Sequence, residues 1–235
     1  MSTPRSIVIV SAGVSEPSST RLLADRLAQK TLELLTARGV EATVGTVDLR
    51  ALVADIGQAT LAGFPSDNLR AAFERLAAAD AVIAATPVYK AGISGLFKSF
   101  IDVLDDDLLI AKPVALAATA GSERHSLVPD EQMRPLFAYL RALVTPTSLF
   151  ATPQDWADRA LSDRIARTAT ELAALVASGV SATIAGETWH NHRHEFATTA
   201  PRSANTSALD HVDLESDLMR LATGGHSRTT GTDRR

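Results

Sequence analysis

Ala81-Val82-Ile83-Ala84-Ala85-Thr86, running straight into Pro87-Val88-Tyr89-Lys90-Ala91-Gly92-Ile93-Ser94-Gly95-Leu96-Phe97-Lys98, is the stretch on which the fold turns. The first six residues form a compact apolar run, the pattern of a strand buried on both faces as in a parallel sheet. A proline and two glycines then shape a loop, and apolar residues return at helical spacing as Leu96, Phe97, Phe100, Ile101 and Leu104. The same strand, loop and helix order recurs on either side. Ser6–Val10 is a second compact run, Ala42–Leu49 alternates more and fits a strand near an edge, and Pro113–Thr119 and Val144–Phe150 complete five strands. Between them the pattern predicts helices at about 18–38, 69–79, 94–104, 130–143 and 156–178, with Gly39 and Gly179 as C-terminal stops, all with boundaries good to about two to four residues.

Five such units in residues 6–178 make an α/β protein, a flavodoxin-like doubly wound five-stranded parallel sheet of order 2-1-3-4-5. Its ligand crevice is expected at the carboxyl ends of strands 1, 3 and 4. The division expected is 1–179 as one flavodoxin-like domain and 180–235 as a C-terminal extension, an appended, partly flexible arm. That segment has no lysine, holds five of the 6 histidines, and carries one short helical pattern at about 213–222.

The 235 residues suffice for one sizeable core. With 23 basic and 27 acidic residues the net charge is −4, which argues against nucleic acid or anionic lipid as a partner. Zero cysteines remove thiol nucleophiles, thiolate metal sites and disulfides. Near the N-terminus only Ile7–Val10 are consecutively apolar, and no run approaches the roughly 20 residues that span a bilayer, so a cytoplasmic protein is expected.

Three small, polar loops follow strands 1, 3 and 4. After strand 1, Ser11-Ala12-Gly13-Val14-Ser15-Glu16-Pro17-Ser18-Ser19-Thr20 delivers three consecutive hydroxyls to a helix start. Either these hydroxyls and the helix N-terminus hold a phosphate, or Ser18 or Ser19 is simply the N-cap. No G-x-G-x-x-G follows a strand, and Gly92–Ser99 has the wrong glycine spacing for a P-loop. Ser11 and Thr86 stand where a response regulator needs acids. After strand 3, the loop's proline and glycines let backbone approach a planar ligand, with Tyr89 as a flat surface and Lys90 as a cation; a turn with Tyr89 packed on the sheet rim is the plainer reading. After strand 4, Thr119-Ala120-Gly121-Ser122-Glu123-Arg124-His125 faces the same crevice.

Residues 5–178 resemble the NADPH-dependent FMN reductase family, including the flavin reductases that partner two-component FMN-dependent monooxygenases. The resemblance lies mainly in Pro87-Val88-Tyr89-Lys90-Ala91 and the Ser94–Asp102 helix start, similar to the family's P-V-Y-x-x-x-x-x-G-x-x-K segment. It implies that this loop lies along the isoalloxazine and ribityl parts of FMN. By the same resemblance, Ser11, Ser18, Ser19 and Thr20 match the hydroxyls of the phosphate loop, and Thr119, Ala120, Gly121, Ser122 and His125 match the loop that meets the flavin pyrimidine. The Gly-Ser opening of the family's first loop is shifted here to Ser11-Ala12-Gly13, and the arginine often found next is missing, which implies modest phosphate affinity and an exchangeable flavin. Leu214–Gly225 is similar to the ending of an actinobacterial branch. The resemblance implies hydride transfer from NADPH or NADH to FMN with no obligatory side-chain acid or base, a monooxygenase receiving reduced FMN, and a homodimer or homotetramer with flavin sites near subunit contacts.

His125 either donates to a ligand or braces the following helix. His190, His192 and His194 alternate as strand metal ligands would, but only Glu195 stands near them as a carboxylate, and a polar arm fits better. Asp105-Asp106-Asp107 reads as a solvated turn, since adjacent carboxylates diverge. No metal site is expected. Two alternatives share the fold: a quinone or azo reductase with tightly bound FMN, and a flavodoxin-type electron carrier, which the small net charge disfavours.

Overall fold

The computed structural model describes residues 4–188. Strand β1 (Arg5–Ser11) leads into helix α1 (Ser19–Ala37), and β2 (Ala42–Asp48) into α2 (Val53–Ala62) and α3 (Asp67–Ala78). Next come β3 (Ala81–Tyr89), β4 (Gly92–Ile93), α4 (Gly95–Asp102) and β5 (Pro113–Thr119). Helix α5 (Arg134–Tyr139), β6 (Leu143–Val144), β7 (Leu149–Ala151), α6 (Arg159–Ser178) and α7 (Val180–Thr188) complete the described chain.

The parallel sheet has the order β2-β1-β3-β5-β6, with β7 also on β5 and β4 folded back on β3. Allowing for the short β4, this is the expected order, with β5 as the fourth parallel strand and β6 and β7 together as the fifth. Alternate residues feed two cores, as the two-residue period of a strand requires. Ile7, Ile9, Ile83 and Ala117 pack with α1 and α6, whereas Val8, Val10, Val82 and Leu116 pack with Phe73, Phe97, Phe100 and Phe137 on the other side. β2 is the edge strand and is buried fully only at Val47.

Three differences from the expected elements have physical causes. The fifth strand is split: Leu143–Val144 pairs with Pro113–Val114, Leu149–Ala151 pairs with Ala117–Thr119, and 145–148 bulges out between them. Pro146 has no N–H for the ladder. Glu171 accepts the Thr147 N–H and hydroxyl at 2.8 and 2.7 Å, and Arg134 donates to the Thr145 and Pro146 carbonyls at 3.0 and 3.1 Å, so the bulge is pinned from both sides. The helix expected over 130–143 opens as a π-helical turn, Pro129–Met133, and α5 itself spans only Arg134–Tyr139, before left-handed Arg141 (φ 57°). Helix α2 was not expected; it buries only Ile56 and Ala59, too narrow a stripe to read from periodicity, and ends at left-handed Gly63 (φ 77°).

At the end of the sheet away from the strands' carboxyl termini, Lys112 is 7% exposed. Its Nζ donates to the Leu76, Ala77 and Ala79 carbonyls at 2.6, 2.8 and 2.6 Å, which closes the C-terminus of α3. Burial pulls the Lys112 pKa down to about 8, against an upward pull from Asp80.

From residue 180, where the extension was expected to begin, α7 is helical and Ser181 Oγ donates to the Ala111 carbonyl at 2.7 Å. The 190–194 histidines and the 213–222 helical pattern lie outside the described residues. Among the described residues no single helix is long and apolar enough to cross a membrane.

Candidate functional site

β1 hands the chain to the first loop at the sheet's carboxyl edge, where the Ala12 N–H still bonds to the Ala85 carbonyl of β3 at 2.9 Å. Gly13 is required there by space, since a Cβ would lie 2.0 Å from Ser18 Oγ. Ser18 is the N-cap of α1, its Oγ accepting the Arg21 N–H at 3.2 Å. Among the described residues none accepts a hydrogen bond from the backbone N–H of Val14, Ser15, Ser19 or Thr20. Those donors, with the positive end of α1, form a cradle for an anion. Ser18 is thus the cap.

Four loops enclose a cleft of about 420 Å³, lined from the first loop by Gly13, Val14, Ser15, Ser19 and Thr20. Ser11 and Ser18 face an adjoining polar pocket of about 250 Å³ instead, shared with Arg21, Asp48 and Arg50. Ser11 is buried, and its hydroxyl accepts the Gly13 N–H at 3.4 Å.

The second loop is tighter than its glycines suggest. β3 continues through Pro87 and Val88 to Tyr89, then folds back so that Tyr89 pairs with Gly92 and Val88 with Ile93. The left-handed residues are Lys90 (φ 51°) and Ala91 (φ 66°), the pattern of a two-residue type I′ turn. Pro87, Val88 and Tyr89 line the cleft; Lys90 and Ala91 form the hairpin tip outside its lining. At the hairpin base, the buried Thr86 hydroxyl donates to the Pro87 carbonyl at 2.9 Å and accepts the Ser94 N–H at 3.1 Å. Ser94 in turn caps α4.

From the third loop Thr119, Ala120 and Gly121 reach the cleft, while Ser122 and His125, at the 3₁₀ turn Glu123–His125, lie outside the lining. Thr119 Oγ1 and Thr20 Oγ1 stand 2.6 Å apart and buried, tying the first loop to the third across the strand order.

A fourth wall was missed in the sequence: Ala151 at the end of β7 and Thr152, Pro153 and Trp156 in the turn after it. The signal for it is Thr152-Pro153-Gln154-Asp155, an N-cap threonine, a first-position proline and an acid three residues on. Asp155 accepts the Thr152 N–H and hydroxyl at 2.7 and 2.8 Å and an Arg164 N–H at 2.9 Å. Burial alone pushes the Asp155 carboxyl up, but these hydrogen bonds outweigh it and hold it below the usual aspartate value. Trp156 is backed by Arg26, whose guanidinium sits 5.0 Å from the ring centroid.

Asp105 Oδ1 accepts the Asp107 N–H, Asp106 accepts the Tyr139 hydroxyl, and Asp107 pairs with Arg141, so the acidic run is engaged by its own backbone and by the end of α5 and the residues after it. Among the described residues no group of three potential ligands could hold a metal ion.

An α/β sheet whose loops after β1, β3, β5 and β7 meet in one cleft at the strands' carboxyl ends is the architecture of the flavodoxin-like fold. Residues 5–157 match the NADPH-dependent FMN reductase family, and the chain belongs to it. It is 34% identical over 174 residues to an NADH-dependent FMN reductase of Pseudomonas putida, covering 74% of this chain and 91% of that protein. It is 35% identical over 156 residues to an FMN reductase (NADPH) of Pseudomonas aeruginosa, covering 66% and 81%. Among solved structures, an oxidoreductase from Corynebacterium diphtheriae superposes with a TM-score of 0.73 at 42% identity, over 75% of this chain and 99% of that one. The chain's enzyme class is NAD(P)H:FMN oxidoreductase, with FMN as the flavin and a reduced nicotinamide nucleotide as the donor.

Proposed function

We propose that the chain binds FMN across the four-loop cleft, reduces it with NAD(P)H, and releases the reduced flavin to a separate FMN-dependent monooxygenase. The observation that carries the reading is the joining, in one cleft, of unpaired N–H donors at the start of α1 with the Pro87-Val88-Tyr89 wall. The residues fit the group: a Cβ at Gly13 would collide with the Ser18 hydroxyl that caps α1, and small or hydroxyl-bearing residues make up most of the rest of the lining.

When bound, FMN supplies the electrophilic N5 that takes the hydride from nicotinamide C4. The chain's own part is binding and orientation. Ser15, Ser19 and Thr20 present donors to the phosphate, with Ser11 and Ser18 supporting the loop from behind. Pro87, Val88 and Tyr89 hold one edge of the ring system, Lys90 and Ala91 close the hairpin beyond it, and Thr119, Ala120 and Gly121 meet the pyrimidine side, with Ser122 and His125 farther along the same loop, outside the lining. Trp156 excludes water from the fourth side. Exchange of the flavin fits a cleft whose own lining offers neutral donors and dipoles, the arginines of the adjoining pocket, Arg21 and Arg50, being paired with Asp25 and Glu16.

On this reading the enzyme works in the cytoplasm as a homodimer or homotetramer, and residues 180–235 form an arm appended to the 1–179 reductase unit. The test is the initial rate of NADH and NADPH oxidation in air against added FMN, with riboflavin and a simple quinone as other acceptors. Saturable dependence on FMN, and faster oxygenase turnover when the reductase is added, support the proposal. A rate indifferent to FMN but rising with quinone overturns release and leaves a tightly held flavin.

A further inference from the structure

We infer that Gln132, which does not line the cleft, is a positioning residue that sets flavin affinity by holding the hairpin of β3 and β4. The inference rests on the reductase reading above. Gln132 sits in the π-helical turn Pro129–Met133, 39 residues from the hairpin it meets. Its Oε1 accepts the Ile93 N–H at 3.1 Å, and its Nε2 donates to the Ala91 carbonyl at 3.1 Å. One side-chain amide therefore spans both sides of Gly92, as a short strand would, and satisfies backbone groups that the two-residue ladder of β4 leaves over.

Two further observations show that the contact is built into the local chain. A Cβ at Gly92 would lie 2.8 Å from Gln132 Oε1, so a side chain at residue 92 would push the amide from its present seat. The need is for space alone, because Gly92 is not left-handed. The hairpin tip also needs holding: Lys90 and Ala91 both occupy the left-handed region without being glycine, a conformation that costs on the order of 1 kcal/mol per residue and persists only where its surroundings fix it. Thr86 and Ser94 fix the base of the hairpin, and Gln132 fixes the tip. Between them stand Val88 and Tyr89, which face the cleft, with Tyr89 50% exposed and little packed against it. Loosening the tip therefore displaces the wall on which the flavin ring is held and leaves the chemistry of hydride transfer untouched.

The full chain is titrated with FMN, following flavin fluorescence, and assayed at steady state with FMN as the varied substrate. Gln132→Ala should raise the FMN Kd and KM together by about fivefold to tenfold, as expected for two neutral hydrogen bonds, with kcat changed by less than about twofold. Gln132→Glu keeps the shape and the bond to Ile93 but sets a carboxylate oxygen against the Ala91 carbonyl, so it should weaken FMN binding as well. Gly92→Ala should reproduce the loss by unseating the amide, and in a Gln132→Ala background it should add less than about twofold. A merely structural role would lower the melting temperature of Gln132→Ala while leaving FMN Kd at the wild-type value, and that result overturns the inference. So does full additivity of the two substitutions. Should Gln132→Ala fail to fold, Gly92→Ala and Gln132→Glu carry the same test, and wild-type FMN affinity in both overturns it. A wild-type chain that neither binds FMN nor oxidises NAD(P)H overturns the reductase reading and this inference together; a wild-type chain that does both separates the two.

Discussion

Gly13 is the residue at which space rather than backbone conformation makes the strictest demand. Gly13→Ala forces Ser18 off its capping position, and the cost falls on the phosphate cradle. The expected outcome is an FMN KM raised by about tenfold or more, with the riboflavin KM moved less than about threefold, because the lost donors serve only the phosphate; parallel steady-state assays with the two flavins check it. Thr20 and Thr119 make a different case. Thr20→Val leaves the buried Thr119 hydroxyl without its 2.6 Å partner and should cost about 1–3 kcal/mol in urea unfolding, whereas Thr20→Ser should retain most of the stability. The residues around these positions were legible because their signals are local: hydroxyls before a helix, small residues after a strand. The Thr20–Thr119 contact was not legible, since 99 residues separate the partners and only the placement of β1 and β5 on either side of β3 brings them together. Trp156 escaped for a related reason. Its capping signal is plain, but the signal identifies a turn, and only the bulged fifth strand aims that turn at the cleft.

Whole elements were read best where they are buried on both faces or strongly periodic. β5 spans Pro113–Thr119 as expected, and α1 and α6 lie within three residues of their expected ends. The elements that departed are α2, whose buried stripe is too narrow to show as periodicity, and those that side chains elsewhere hold in shape: the split strand pinned by Glu171 and Arg134, the π turn, and the β3–β4 hairpin. The hairpin offers a direct check of backbone energetics. Replacing Lys90-Ala91 by Asn-Gly supplies residues suited to a type I′ turn and should stabilise the protein by about 1 kcal/mol, measured as a shift in urea midpoint with unchanged slope. The turn after β7 is checked by pH. The folded Asp155 carboxyl is held below its ordinary value, so its contribution is complete above the ordinary aspartate range and is lost as pH falls through the lower folded value. Melting temperature should therefore fall more steeply below pH 4 in the wild type than in Asp155→Asn, whose amide does not titrate.

Across the molecule, the two ends of the sheet do different work. The carboxyl ends of β1, β3, β5 and β7 carry small residues, hydroxyls and unpaired N–H groups, and the opposite end is closed by saturated contacts such as Arg5 with Asp80 and Lys112 with the last turn of α3. This division was foreseeable from the strand order alone, which places the crevice before any residue in it is identified. The closed end also gives the protein an internal clock. Lys30, Lys90 and Lys98 are the other lysines of the sequence, and each has a side chain that reaches solvent. An amine-acylating reagent should modify those three promptly. Lys112, with its three hydrogens committed to carbonyls, should take up its acyl group only when α3 parts from the start of β5. Intact mass followed over time would then show a fast group of increments and one late increment, whose rate reports how often that corner of the sheet opens.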